Sequence, residues 1–208
     1  MDQGWLLGLT TVTKGLGLAI AQGSQEILTA TWPLDRQMAA RLHPCLQAFL
    51  PPSLTWATCR GVAVAVGPGS FTGSRLGVTV ARTLGQTLGI PVFGYSSLAA
   101  LAWGYGGKVG VYVDAKRGQW FGGIYERQGS QMAVRVAEQL WTPAEWEAQL
   151  AQFQVPCQEL TDLTPADAIA RHLVAMALTD QGSPWWQVLP VYSRRPPIGQ
   201  GESFSKSP

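Results

Sequence analysis

Charge is what this 208-residue chain has least of. Asp, Glu, Lys and Arg make up 13 % of it, against roughly 25 % in an average soluble domain. The net charge is +2, from eleven arginines and four lysines set against thirteen acids. That is far from the basic excess on which autonomous nucleic-acid binding draws, so any contact with RNA is expected to be indirect. Low charge also leaves surface available to be covered by a partner. Histidine is scarcer still, with only His43 and His172. His43 and Cys45 lie two apart, on nearly opposite sides of a helix, so no metal cage can be assembled from them. Cys45, Cys59 and Cys157 are odd in number, widely spaced and outside any C-x-x-C pattern. They read as reduced thiols in a cytoplasmic protein rather than disulfides or zinc ligands. No apolar run approaches the ~20 residues of a membrane helix, and no signal-peptide pattern opens the chain. The expectation is a soluble protein without membrane contact.

What is present is organised around residues 61–103. Gly61-Val62-Ala63-Val64-Ala65-Val66 is a short apolar run that reads as a strand buried on both faces. Gly67-Pro68-Gly69-Ser70-Phe71-Thr72-Gly73 then turns the chain sharply, and from about Ser74 the period becomes helical. Leu76, Val80, Leu84 and Leu88 form one i,i+4 row, while Gly77, Ala81, Gly85 and Gly89 form the row beside it. Ile90-Pro91 stops the helix, with Gly89 as its C-cap. Each helical glycine costs about 1 kcal/mol relative to alanine. A backbone approaching closely along that row would offset the cost, and it could belong to the same chain or to a partner.

The rest of the chain has the same plan twice. Trp5 to Thr10, Leu16 to Ala21 and Glu26 to Thr31 read as three strands. An amphipathic helix follows over Leu34 to Leu50, expected to bend or divide at Pro44. In the second half, Val109 to Asp114, Trp120 to Tyr125 and Met132 to Val136 are strands, and a helix capped by Thr142 runs from Pro143 to Gln152. Gln22-Gly23-Ser24-Gln25 recurs letter for letter as Gln128-Gly129-Ser130-Gln131 at the corresponding turn. The repeated element order predicts an α/β duplication of β-β-β-α-β-α units. The second is trimmed, because residues 152–163 have room for little more than a short strand before a last helix over Pro165 to Leu178. The expected division is 1–106, 107–195 and a tail over 196–208 rich in proline, glycine and serine.

The string from Gly67 to Gly77, GPGSFTGSRLG, together with Pro91-Val92-Phe93-Gly94-Tyr95-Ser96-Ser97-Leu98, resembles the signature of the TsaB (YeaZ) family. Val113-Asp114-Ala115-Lys116-Arg117-Gly118 is similar to that family's D-A-R-x-G turn, and Pro190-Val191-Tyr192-Ser193-Arg194 to its P-x-Y-x-R ending. The resemblance implies the actin/hexokinase/Hsp70-like (ASKHA) fold. It also implies a non-catalytic scaffold or activator subunit, paralogous to TsaD. Such a subunit works with TsaD and TsaE in transferring the threonylcarbamoyl group to the adenosine beside the anticodon of ANN-reading tRNAs. Docking on TsaD through the N-terminal helices is implied, as is a homodimer when the chain is free. Partner-interface candidates are Met38, Leu42, Arg75, Gly77, Ala81, Arg82 and Gly85.

The residues admit other chemistry. A glycine loop feeding a helix is a plausible anion site, with Gly67, Gly69, Ser70 and Gly73 as candidates. No lysine follows Gly73 as a Walker loop requires, and Pro68 and Thr72 stand where a nucleophile elbow needs glycine. In the actin-like superfold the first hairpin sets an aspartate near phosphate and metal. Here the hairpin reads Leu7-Gly8-Leu9-Thr10-Thr11-Val12-Thr13, and Thr10 supplies no anionic oxygen for Mg²⁺. Asp114 ends the matching strand of the second half, either as half of an acidic pair or as a turn residue bonding local backbone. The expectation is therefore no required cofactor, with ATP or ADP binding open. The rival functions are an actin-like ATPase or kinase and, less favoured, a metallopeptidase. Met38-Ala39 stands where some relatives carry His-Thr, which weakens the peptidase reading.

Overall fold

The structure is a computed structural model that describes residues 4–23 and 25–191. Strands β1 (Trp5–Thr10), β2 (Gly15–Gln22) and β3 (Gln25–Pro33) lead through helix α1 (Met38–Phe49) to β4 (Cys59–Gly67). Helix α2 (Phe71–Leu88), β5 (Val92–Ser96) and α3 (Ser97–Trp103) complete the first half. The second half comprises β6 (Gly107–Asp114), β7 (Trp120–Gln128), β8 (Gln131–Trp141), α4 (Pro143–Phe153), the three-residue β9 (Cys157–Glu159) and α5 (Ala166–Ala177). Tyr192 to Arg194 of the C-terminal motif and the expected tail lie outside the described residues, as does Ser24 of the repeated tetrad.

Both sheets are wired alike. The first has the order β3-β2-β1-β4-β5 and the second β8-β7-β6-β9. In each, the first strand pairs antiparallel with the second and parallel with the fourth. The repeated tetrad sits at equivalent hairpins: Gln22 pairs with Gln25 and Gln128 with Gln131, while Gly23 and Gly129 have φ of 61° and 63°. Such turns need positive φ, which glycine supplies without strain. Among the described residues the second sheet stops at β9, and no further helix and strand follow it as α2 and β5 follow β4.

The first sheet has one large-residue face and one small-residue face, and this decides which helix covers which. Along β2, Leu16, Leu18 and Ile20 alternate with Gly17, Ala19 and Ala21, and the register carries the same alternation into β1 and β4. Leu7, Leu9, Leu18, Val62 and Val64 form a core with Met38, Leu42, Leu46 and Phe49 of α1 and Val78 and Ala81 of α2. The opposite face is small on β2 and at Gly8 of β1, with Leu6, Phe93 and Tyr95 as its larger side chains. A Cβ on Gly8 would lie 2.4 Å from the Ala170 carbonyl oxygen, and one on Gly17 2.0 Å from that of Ala166. Helix α5, continuous in sequence with the second half, thus lies backbone-close on the first sheet, with Ala170 and Val174 against Ala19 and Ala21.

Local expectations hold with shifted boundaries. Helix α2 begins at Phe71, not Ser74, because the Ser70 side chain caps it by accepting from the Gly73 N–H, and Gly89 ends it with φ of 67°. Helix α1 starts at Met38 after a 3₁₀ turn and runs undivided through Pro44. Pro44 and Ala40 are both exposed, so the carbonyl that loses its partner lies on the wet side. Thr142 and Glu145 form a full capping box at α4.

Candidate functional site

The glycine loop joins β4 to α2 and is locked against the β1–β2 turn. Ser70 N–H donates to the Val12 carbonyl at 2.8 Å, and Thr11 Oγ1 donates to the Gly73 carbonyl at 2.7 Å. Gly69 has φ of 153°, and a Cβ there would sit 2.6 Å from Val12 O; a Cβ on Gly73 would sit 1.8 Å from Thr11 O. Gly67 is covered by Val191, whose N–H donates to Val66 O at 2.7 Å and whose own carbonyl would lie 2.4 Å from an added Cβ. These glycines are required by close backbone approach within the chain itself. The Gly73 N–H, one of the first-turn donors an anion would use, is taken by Ser70 Oγ at 3.1 Å.

Two cavities flank this loop. One, of about 350 Å³, opens between the halves, and Val12, Gly69, Ser70, Asp114, Lys116, Glu159 and Asp162 are among its lining. The loop candidates Gly69 and Ser70 therefore do meet Asp114. Asp114 is engaged locally: it accepts from the Lys116 backbone N–H at 2.7 Å and from Lys116 Nζ at 2.9 Å, and those bonds hold its carboxyl below the usual range. Burial, with Glu159 alongside, pushes the Tyr112 phenol up to about 12. Thr10 is not part of the site. It is fully buried at the end of the central strand β1, its Oγ1 accepting from the Val12 N–H at 3.5 Å. The second cavity, of about 420 Å³, lies between the N-terminal ends of α1 and α2, where Lys14, Arg36, Met38, Ser70 and Thr72 are among its walls.

The expected partner face also needs correction. Met38 and Leu42 are 7 % and 3 % exposed, and Gly77, Ala81 and Gly85 are buried. A Cβ on Gly77 would lie 2.5 Å from Thr11 Oγ1, and one on Gly85 2.5 Å from Val92 Cγ2. The small-residue row thus admits the chain's own sheet and the segment bearing Trp185, which settles its alternatives in favour of internal packing. Arg75 and Arg82 remain at the surface, stacked over Phe71 at 4.0 Å and Trp185 at 5.5 Å.

His172 on α5 faces α3, its Nδ1 2.8 Å from the Ala100 carbonyl. Nδ1 therefore carries the proton, and burial lowers the imidazole pKa. His43 is exposed on α1. Among the described residues, no three His, Cys, Asp or Glu side chains are grouped to hold a metal ion, and no helix is long and apolar enough to cross a membrane.

A model of the family described as "TsaD: tRNA N6-adenosine threonylcarbamoyltransferase" matches residues 34–168. The Bacillus subtilis (strain 168) protein named "tRNA threonylcarbamoyladenosine biosynthesis protein TsaB" is 30 % identical over 155 residues, covering 73 % of this chain and 68 % of that one. The chain belongs to the TsaB (YeaZ) family. The TsaB of Escherichia coli (strain K12) is likewise 30 % identical, over 129 residues that make up 59 % of this chain and 55 % of its own. In three dimensions, YeaZ from Pseudomonas aeruginosa matches with a TM-score of 0.74 at 24 % identity, covering 91 % of this chain and 99 % of that one. The duplicated actin-like fold expected from the TsaB signature is the fold found.

Within this TsaB-family framework one polar junction went unread in the sequence. Glu138 Oε1 on β8 accepts from Ser96 Oγ at the end of β5 and from the Tyr125 hydroxyl on β7, which ties the first half to the second. Ser96 Oγ also caps α3, accepting from the Leu98 N–H at 3.1 Å. Burial and the Glu138 charge raise the Tyr125 pKa. The legible half of the signal was a serine heading an apolar helix. The acid sits 42 residues away, and only tertiary structure brings it there.

Proposed function

We propose that this chain is a non-catalytic subunit of tRNA threonylcarbamoyladenosine formation. On this reading it docks on a TsaD-family protein through the outward side of α1 and α2, works with TsaE, reaches tRNA only through that complex and acts in the cytoplasm. The observation that carries the reading is membership of a family whose relatives are named for this pathway. The geometry of the glycine loop supports it, since its Ser70 and Gly73 N–H groups and the close approaches of its glycines are taken up inside the chain.

The ATPase or kinase alternative draws less support. Asp114, Glu159 and Asp162 line the cleft between the halves against one lysine, Lys116, whose ammonium is paired with Asp114. Such a lining repels a polyphosphate, and Thr10 offers no carboxylate for its metal.

The test is co-purification with the TsaD-family protein of the same genome, followed by mass spectrometry of nucleosides from tRNA incubated with the reconstituted proteins. We expect a stable complex, and modified adenosine only when this chain is included. Modification at full rate without it, or turnover of ATP by the chain alone, would overturn the reading.

A further inference from the structure

A third cavity, of about 320 Å³, opens at the other end of the first sheet from the glycine loop. Leu6 of β1, Arg60 of β4 and Phe93 of β5 meet there with Leu178 and Asp180, which follow α5. Arg60 stands seven residues before Gly67 on β4, about 23 Å away along the strand, so this cavity is separate from the two at the glycine loop. Its lining combines apolar walls with two opposite charges. Phe93 is 5 % and Leu178 41 % exposed. Arg60 and Asp180 are the only charged side chains among the described lining residues, and no ion pair joins them. Asp180 is fixed in place. One of its carboxylate oxygens accepts from the Tyr95 hydroxyl at 2.7 Å, and the other from the N–H groups of Gln181 at 2.7 Å and Gly182 at 3.2 Å. Arg60 lies across Gly4, where an added Cβ would fall 2.0 Å from Arg60 Cδ.

We propose that this cavity binds a free α-amino acid with an apolar side chain, its carboxylate on Arg60, its ammonium on Asp180 and its side chain against Leu6, Phe93 and Leu178. Three observations carry it. Two opposite charges that line one cavity without neutralising each other call for a ligand that carries both. An anion alone would be repelled by Asp180 and a cation alone by Arg60. The three bonds that Asp180 accepts hold its carboxylate before a ligand arrives, which lowers the ordering cost of binding, and leave it acceptor capacity for an ammonium group. The volume is that of about ten water molecules, enough for leucine or phenylalanine, and release of water from the Phe93 and leucine walls favours the apolar side chain. Such a ligand would join the starts of β1 and β4 to the segment that follows α5. The inference stands apart from the docking role proposed above, and either can fail without the other.

The experiment titrates the full chain with L-leucine and L-phenylalanine by calorimetry. Isocaproate, which is leucine without its ammonium, and isoamylamine, which is leucine without its carboxylate, are the comparison probes. We expect leucine or phenylalanine to bind with a Kd below about 1 mM, and each single-charge probe to bind at least tenfold more weakly, because each forgoes a charge-assisted hydrogen bond. Arg60→Gln should weaken leucine at least tenfold and leave isoamylamine no weaker than before. Asp180→Asn should weaken leucine likewise and leave isocaproate no weaker. A second reading needs no variant: in the amide NMR spectrum of the wild-type chain, leucine should shift the Gly4 and Gln181 signals, both of which belong to residues lining the cavity. The proposal is overturned if neither amino acid binds saturably up to about 10 mM, or if binding leaves the Gly4 and Gln181 signals where they were. Isocaproate binding as tightly as leucine would also overturn it, because the cavity would then be an anion site in which Asp180 plays no part.

Discussion

Substituting Gly8 by alanine tests the most unexpected feature of the fold, the docking of α5 on the first sheet. Alanine normally stabilises a strand or loop position occupied by glycine, by about 0.4–1 kcal/mol, when its backbone angles suit. Here the added methyl would lie 2.4 Å from the Ala170 carbonyl oxygen and 2.6 Å from Val174 Cγ2. Val174 can rotate away, but the carbonyl is fixed inside a helix. Since an ordinary C···O contact is about 3.3 Å, α5 must retreat by about 1 Å. Overpacking of this kind costs about 1–3 kcal/mol, which for a chain of this size lowers the thermal midpoint by about 2–12 °C. Urea unfolding followed by tryptophan fluorescence and far-UV circular dichroism would read the change. Gly106, with nothing within 4 Å of an added Cβ, is the control, and Gly106→Ala should be neutral or slightly stabilising. Gly17→Ala meets Ala166 O at 2.0 Å and should destabilise like Gly8→Ala. The double variant should cost less than the sum, because one displacement of α5 relieves both clashes. Should Gly8→Ala prove as stable as wild type, with the Gly106 control behaving the same, α5 does not lie where the structure puts it.

Three further outcomes follow from the site. Glu138→Ala leaves the Ser96 and Tyr125 hydroxyls without their shared acceptor, a loss of about 1–3 kcal/mol; Glu138→Gln keeps an acceptor and should lose less, and equal losses would show that acceptance is not what matters. Ser70→Ala removes the α2 N-cap and should cost about 1 kcal/mol in chemical denaturation, while Ser70→Asp should retain most of the stability. The His172 imidazole is held below its ordinary value of 6.5 by burial, so below that pH the unfolded chain binds more protons than the folded one. Stability should therefore be level above about pH 7 and fall as the pH drops through 6.5, and His172→Gln should flatten this decline. Asp114 and Asp180, whose carboxyls are held low by Lys116 and Tyr95, act only nearer pH 4, so the two windows separate in a stability-against-pH series.

Much of the architecture was legible because it is encoded locally. A capping threonine at Thr142 and a left-handed glycine stop at Gly89 fix helix ends through bonds within a few residues. The Gln-Gly-Ser-Gln repeat pointed to duplication because it recurs within the same element order, and Gly23 and Gly129 both take positive φ at the two hairpins. The site was less legible. A run such as Gly77, Ala81 and Gly85 announces close approach without saying to what, and the answer, Thr11 and Val92 of the same chain, depends on which way the helix faces. Thr10 matched the place where a phosphate-facing side chain is expected from the family resemblance, yet it is fully buried.

By itself the sequence determined the duplicated element order, the boundaries of α1, α2, α4 and α5 within a few residues and the family, because these rest on short-range periodicity, capping and a contiguous signature, whereas the short α3 was not called. Tertiary structure alone decided that α5 crosses to the first sheet, that five interface candidates point inward and that Glu138 joins the halves. The physical reason is that periodicity says a face is apolar or small but not which surface will cover it. That choice is made by shape, where the glycine and alanine positions of the first sheet admit a helix backbone that the leucine side would exclude.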